Sequence, residues 1–333
     1  MRAWKDLASD AFTKSSRTEC ETVALADWLE LQVLDSAASE VSVASLKTAL
    51  NAGPWNPPGD RSSLDDTDIE AIVSDAVQEI AARSSNYEGH GYPFQLTQGN
   101  RVIQRTGRSP SIYEALLAIS YINPAPERGS NESGGAVFEA LAWLGLSRWL
   151  GKPDHAKEGE MSFVHHLGQP SLSGLSHAFH TKIETLARLM RDGKGYRIPH
   201  HGRAQRQGDG GVDLLAWRGF PDDQGGQLLV FAGCAAGMNF ADPGKYAEVD
   251  PRRWVRTHFP PGTLLSERSW ARCYFIPRMV PPDLNEQIKL GAGVLIDRCR
   301  LAFLLHGIKH DQITRSLTWL ATTMRAKSKK HAA

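Results

Sequence analysis

The sequence lacks the cysteine spacing that marks small metal sites and disulfide frameworks. Its four cysteines are scattered over 333 residues without a CxxC pair. This argues against a zinc ribbon, a redox motif and a disulfide-stabilised scaffold. The pattern fits a reducing compartment.

Long apolar runs are also missing. The most apolar stretch, residues 136–150, contains Glu139 and Arg148, and no window approaches the roughly 20 uncharged residues of a membrane helix. The opening residues MRAWKDLASD carry charges where a signal peptide needs an apolar segment. We therefore expect a cytoplasmic protein without membrane contact.

Neither sign of charge is in excess. Lys plus Arg number 38 and Asp plus Glu number 37, so no global basic field indicates nucleic-acid binding. Any surface that contacts nucleic acid must be a local patch.

The chain is long enough for two domains, and residues 1–123 predict a mainly helical one. Apolar residues recur at helical spacing over 22–50 and again over 68–83. A hairpin around Gln98-Gly99-Asn100 follows and resembles the wing of a winged-helix module. Such modules bind DNA or proteins, and a purely structural hairpin is the alternative.

A second domain is predicted over residues 136–325, after a Pro-, Gly- and Ser-rich linker at 124–135 and before a basic tail at 326–333. Its helical and strand patterns alternate, which predicts an α/β fold. The expected helices cover 136–150, 176–191 and 284–305, and the expected apolar strand segments cover 161–167, 212–217, 227–234 and 271–276.

Asp213 is the most informative residue of this domain. It stands beside Val212, Leu214 and Leu215 in the segment GDGGVDLLAWRGF. An ionised carboxylate is costly to bury in an apolar strand unless it is paired or metal-bound. A functional site is one explanation, and an edge-strand aspartate facing water is the other.

A helix carrying Phe138-Glu139, a GVD strand with Asp213 and a further hairpin strand resemble the PD-(D/E)xK restriction-endonuclease-like superfamily, with an Mrr-like core. The resemblance covers residues 134–305. It implies a mixed sheet flanked by helices and a Mg²⁺ site to which Glu139 and Asp213 contribute as metal ligands and catalytic residues. Carboxylate oxygens suit Mg²⁺, which activates water for phosphodiester hydrolysis. No organic cofactor is expected.

The sequence departs from the superfamily where Glu/Gln-x-Lys is expected, because it reads Gly233-Cys234-Ala235. The segment FAGCAAGMNF resembles a group of such proteins in which Gln is expected at position 233. Lys245 is the candidate for a relocated catalytic lysine. A solvated surface lysine is the alternative, since most lysines are exposed.

Arginines downstream of Lys245 supply a candidate nucleic-acid-binding patch. Arg252, Arg253 and Arg256 surround Trp254, a mixture that suits phosphate contacts or stacking on bases. Salt bridges or a protein interface are the alternatives. The histidines at 165, 166, 177, 180, 200 and 201 complete no recognisable zinc spacing, and we expect them to be surface or hydrogen-bonded residues.

Two functions follow from the resemblance. One is a nuclease-fold subunit of a restriction-like or anti-phage defence complex that contacts DNA and partner proteins and cleaves DNA with Mg²⁺. The other is a catalytically inactive nuclease-like scaffold that binds a partner protein or nucleic acid. The absence of both motif side chains at 233 and 235 favours the scaffold.

Overall fold

The computed structural model describes residues 21–52, 66–122, 133–151, 162–167, 174–175, 178–190, 211–218, 228–260 and 270–330. Over these residues the protein is mixed α/β, with 11 α-helices and two sheets. One sheet is antiparallel with three strands, and the other is mixed with five. None of the described helices combines the length and the apolar character needed to cross a membrane.

The first part of the chain contains the three-stranded sheet. Its elements are α1 (Glu21–Asp35), β1 (Glu40–Ser42), α2 (Ala44–Ala52), α3 (Asp66–Tyr87), β2 (Phe94–Thr97) and β3 (Val102–Arg105). The strand order is β1-β3-β2. The predicted hairpin is confirmed, with Leu96 opposite Ile103. All three turn residues adopt positive φ, at 51° for Gln98, 65° for Gly99 and 66° for Asn100, and Gly and Asn tolerate this conformation well.

The second part contains the five-stranded sheet, in the order β4-β5-β6-β7-β8. Strands β4, β5 and β6 pair antiparallel, whereas β6, β7 and β8 pair parallel. The strands are β4 (Ser162–His166), β5 (Leu214–Arg218), β6 (Leu228–Cys234), β7 (Trp270–Phe275) and β8 (Val294–Ile296). The helices are α4 (Ile112–Tyr121), α5 (Gly134–Trp149), α6 (Phe179–Leu189), α7 (Pro243–Ala247), α8 (Pro251–His258), α9 (Pro282–Ala292), α10 (Arg298–Leu305) and α11 (Asp311–Lys330).

The prediction of one helix over 284–305 is wrong, because β8 interrupts it between α9 and α10. Gly293 ends α9 with a φ of 83°. A Cβ at this position would lie 2.5 Å from the carbonyl oxygen of Arg272, so both the backbone conformation and the close approach require glycine. Asp297 then caps α10 by accepting a 2.9 Å hydrogen bond from the Arg300 amide.

Both faces of the central strands are buried. Leu214 and Ala216 belong to the cluster beneath α5, whereas Leu215 and Trp217 belong to the cluster that contains residues of α6 and α8. This explains the continuous apolar sequence of β5, since a strand covered on both sides needs no polar alternation.

A buried ion network joins α1, α3 and α10. Asp27 accepts hydrogen bonds of 2.7 Å from Arg83 and from Arg298. Glu30 accepts a further bond of 2.8 Å from Arg83. Burial alone would raise the pKa of Asp27, but the charges of Arg298 and Arg83 outweigh it and hold that pKa below its usual value.

Residues from both predicted domains share one apolar cluster, which includes Leu25 of α1 and Leu301 of α10. Most of the predicted linker lies outside the described residues, so the 124–135 boundary stays a prediction. The region predicted as a basic tail from 326 onward belongs to α11 as far as Lys330.

Candidate functional site

Asp213 is anchored at one end of the five-stranded sheet. Its amide donates to the Ala232 carbonyl at 3.1 Å, and its own carbonyl accepts from the Leu167 amide at 2.8 Å. These bonds continue the strand pairing and fix the backbone between β4 and β6. The side-chain Oδ2 accepts a 2.6 Å hydrogen bond from the Cys234 amide, which holds the carboxylate at the end of β6.

Glu139 approaches the same end from α5. Its Oε2 lies 2.8 Å from Nε2 of His166, a residue at the end of β4 that pairs with Leu214 of β5. Burial and then the charges of Asp213 and Glu139 raise the pKa of the Cys234 thiol well above its usual value, so both carboxylates act on one side chain. The structure therefore brings both predicted acids to the end of β6, and their sharing of one metal ion stays a prediction.

A cavity of about 210 Å³ opens beside Asp213. Its polar lining includes Asp213, Asn239, Lys245, Glu248 and Tyr274. Much of the remaining lining is small, because the strand end and the following loop read Gly-Cys-Ala-Ala-Gly. The cavity can therefore admit a ligand to the Asp213 and Glu248 carboxylates, whereas Glu139 is not among its lining residues.

Lys245 lies on α7 at this cavity. Its Nζ lies 3.0 Å from both carboxylate oxygens of Glu248, and 38% of the side chain is exposed. The lysine is thus an ion-paired, partly exposed residue within the Asp213 cavity. A catalytic role for it stays a prediction.

The space in which a motif side chain at position 233 would begin is occupied. A Cβ added to Gly233 would lie 2.6 Å from Cγ2 of Val249, and Val249 is only 3% exposed. Position 235, where the resemblance implies a lysine, holds a buried alanine whose amide donates to the Phe275 carbonyl at 3.0 Å. A larger side chain at position 233 would therefore require Val249 to move, although both Gly233 and Ala235 line the cavity.

Part of this site suits a divalent cation. Mg²⁺ commonly binds one or two protein carboxylates and keeps several waters, so the Asp213 carboxylate beside an open cavity fits as a ligand. In the described part of the chain, however, no three His, Cys, Asp or Glu side chains are grouped to hold a metal ion. Gly233 supplies no side-chain ligand.

The predicted arginine patch lies on α8. Arg252, Arg253 and Arg256 are all exposed, and the Asp250 carboxylate caps the helix by accepting a 3.0 Å bond from the Arg253 amide. The prediction that Trp254 stacks on bases is wrong. Its indole is 3% exposed and packs edge-on against Phe231 at 5.5 Å, because helical spacing turns it away from the arginines.

His258 packs on the buried face of α8 and makes the free energy of unfolding depend on pH. Its ring contacts Phe179 at 4.7 Å and Trp254 at 5.1 Å, and its buried Nδ1 has no hydrogen-bond partner among the described residues. Burial lowers its pKa from 6.5 to about 4. The folded protein therefore binds a proton at His258 only near pH 4, whereas the unfolded chain binds one near pH 6.5.

We expect the His258 contribution to be complete above pH 6.5 and to be lost as the pH falls to about 4. This pKa difference corresponds to at most about 3 kcal/mol. Urea unfolding across this range should show a steeper loss for the wild type than for His258→Phe. Equal pH dependence in both proteins would show that His258 does not titrate in this way.

Several contacts at the site were not predictable from residue spacing. His166, expected only to be a surface or hydrogen-bonded residue, proves to be the partner of Glu139, and His180 is exposed. The histidines at 177, 200 and 201 lie outside the described residues. The proximity of Glu248 and Val249 to the motif position had no sequence signal, because it depends on how the chain folds back after β6.

Comparisons with protein-family models, with curated proteins and with solved structures found no match.

Proposed function

We propose that this chain is a nuclease-like protein that binds nucleic acid and cleaves it feebly or not at all. The observation that carries the proposal is the Asp213 cavity at the end of β6, beside which Val249 fills the space of the motif side chain. A carboxylate at an open cavity suits a metal-bound phosphate. Strand β6 therefore carries neither the side-chain metal ligand expected at position 233 nor the lysine amine expected at position 235, and efficient cleavage requires both.

The order of elements supports the nuclease-like assignment. A helix bearing Glu139 precedes three antiparallel strands, and the third of these pairs parallel with the next strand. This is a mixed sheet flanked by helices, as the resemblance implies. Asp213 precedes the second strand, and the expected Glu/Gln-x-Lys position falls at the end of the third.

Nucleic acid is the favoured ligand because the chain provides a local cationic surface close in sequence to the cavity. The cavity-lining segment through Val249 leads directly into α8, whose outer face carries Arg252, Arg253 and Arg256. Guanidinium groups contact phosphates without reading base sequence. A strand whose backbone crosses α8 would have its phosphates neutralised by this face.

We expect the triple variant Arg252→Gln/Arg253→Gln/Arg256→Gln to bind duplex DNA at least about tenfold more weakly, and the salt dependence of binding to become shallower by up to about 0.9 for each lost phosphate contact. Fluorescence anisotropy of a labelled duplex, measured in EDTA over a range of salt, tests this.

The matched control is Arg101→Gln/Arg108→Gln, which removes two exposed arginines from the region of the hairpin. Loss of binding in this control and not in the triple variant would move the surface to the first part of the chain. Unchanged affinity and salt dependence in a folded triple variant would remove α8 from the proposal.

Mg²⁺-dependent cleavage is the second candidate, favoured by one observation: Lys245 lines the same cavity as Asp213. Cleavage that Lys245→Met abolishes while DNA binding persists would favour it over the inactive scaffold. A partner protein and a place in an anti-phage defence complex stay predictions of the resemblance.

A further inference from the structure

We propose that Trp143 and Arg300 close the two edges of the five-stranded sheet against the addition of a strand from another copy of this chain. The outer strands among those described are β4 and β8. An edge strand normally presents unpaired backbone N–H and C=O groups, which pair readily with a strand of another chain. In this sheet, one outward carbonyl on each edge accepts a hydrogen bond from a side chain instead. The inference is independent of the proposed function.

Arg300 closes the β8 edge. The Ile276 amide donates to the Ile296 carbonyl at 3.0 Å, so Ile296 directs its backbone groups towards β7. Because successive residues of a strand direct these groups to opposite sides, Leu295 directs its N–H and C=O away from the sheet. The Leu295 carbonyl accepts a hydrogen bond from Nη1 of Arg300 on α10. The guanidinium therefore occupies the side from which a further strand would approach.

Trp143 closes the β4 edge in the same manner. The Leu167 amide donates to the Asp213 carbonyl at 2.8 Å, which continues the antiparallel register of β4 with β5. Alternation along β4 then directs the backbone groups of Val164 away from β5. The Val164 carbonyl accepts a 3.0 Å hydrogen bond from the indole Nε1 of Trp143 on α5.

The short length of both strands makes one donor sufficient on each edge. Strand β8 has three residues, and only the middle one, Leu295, faces outward. Val164 is the middle residue of the five in β4. Both donors come from helices that pack against the strand they cap, and both capped residues are buried. An added strand would have to displace these side chains before it could bond the same carbonyls.

Sedimentation of the full chain over a series of concentrations tests the inference with Arg300→Met and Trp143→Phe. Each substitution keeps most of the side-chain bulk and removes the donor. Each variant should self-associate at least about tenfold more tightly than the wild type, the gain expected from roughly one backbone hydrogen bond to an added strand. In associated Arg300→Met, the outward amide of Leu295 should exchange its hydrogen more slowly than in the dilute protein, as measured by NMR.

Ser120→Ala is the matched control. The buried Ser120 hydroxyl donates to the Pro277 carbonyl at 2.6 Å, so this variant loses a side-chain bond to a backbone carbonyl without opening a strand edge. It should sediment like the wild type even if its urea midpoint falls. Equal self-association in Ser120→Ala would show that lost stability is the cause and would overturn the inference. Wild-type sedimentation of both folded edge variants would also overturn it, as would unchanged exchange at Leu295 in associated Arg300→Met.

Discussion

Replacing Asp27 by Ala should lower the free energy of unfolding by about 3–5 kcal/mol, the range seen when one partner of a buried ion pair is removed. Asp27 is 2% exposed and accepts hydrogen bonds from Arg83, Arg298 and the Tyr121 hydroxyl. Among the described residues, Nε and Nη1 of the buried Arg298 already have no hydrogen-bond partner. The variant would remove the carboxylate to which that guanidinium donates at 2.7 Å. Urea unfolding measures the cost.

Two further variants test whether the loss of stability comes from leaving a buried charge unpaired. Glu70→Ala breaks an exposed lysine–glutamate pair and should leave the free energy of unfolding nearly unchanged, because water screens an exposed pair. Asp27→Leu/Arg298→Met removes both buried charges and should recover part of the loss, because the desolvation cost of an unpaired charge disappears with them. A cost below about 1 kcal/mol for Asp27→Ala would show that the network does not hold α1 against α10.

Rebuilding the motif should have the largest effect on activity. We expect Gly233→Gln/Ala235→Lys/Val249→Ala to raise Mg²⁺-dependent cleavage by about 100-fold or more, the contribution typical of a positioned proton-transfer group. Val249→Ala is needed because a side chain at 233 would begin 2.6 Å from Val249 Cγ2. The double variant without it should be overpacked by about 1–3 kcal/mol and less active. Val249→Ala alone should bring no gain.

Much of the fold could be predicted because its signals are local. The turn residues 98–100 predicted the hairpin, and alternating apolar segments predicted β4 to β7. The interruption at β8 could not be predicted from periodicity, because its three residues continue an apolar pattern. The turn at Gly293 and the parallel pairing of β8 with β7 explain it.

The candidate site likewise contains some residues that the sequence could indicate and others that it could not. Asp213 could be singled out because an acid within an apolar segment is conspicuous in sequence, and Glu139 because of the resemblance; their role as a shared site stays a prediction. Glu248 and Val249 could not be singled out, because no spacing rule states that the chain after α7 folds back onto Gly233. For Trp254 the sequence was misleading. An aromatic residue among arginines suggested base stacking, but the indole packs against Phe231 and is buried.

The measurement that tests the central claim most directly is single-turnover cleavage of a labelled duplex in Mg²⁺ by the wild type and the motif-restored protein, each with and without Asp213→Asn. We expect feeble or no cleavage by the wild type, faster cleavage by the restored protein, and loss of all cleavage with Asp213→Asn in both backgrounds. Robust cleavage that survives Asp213→Asn, in proteins that remain folded and bind the duplex, would contradict the assignment of this cavity as a nuclease-like site.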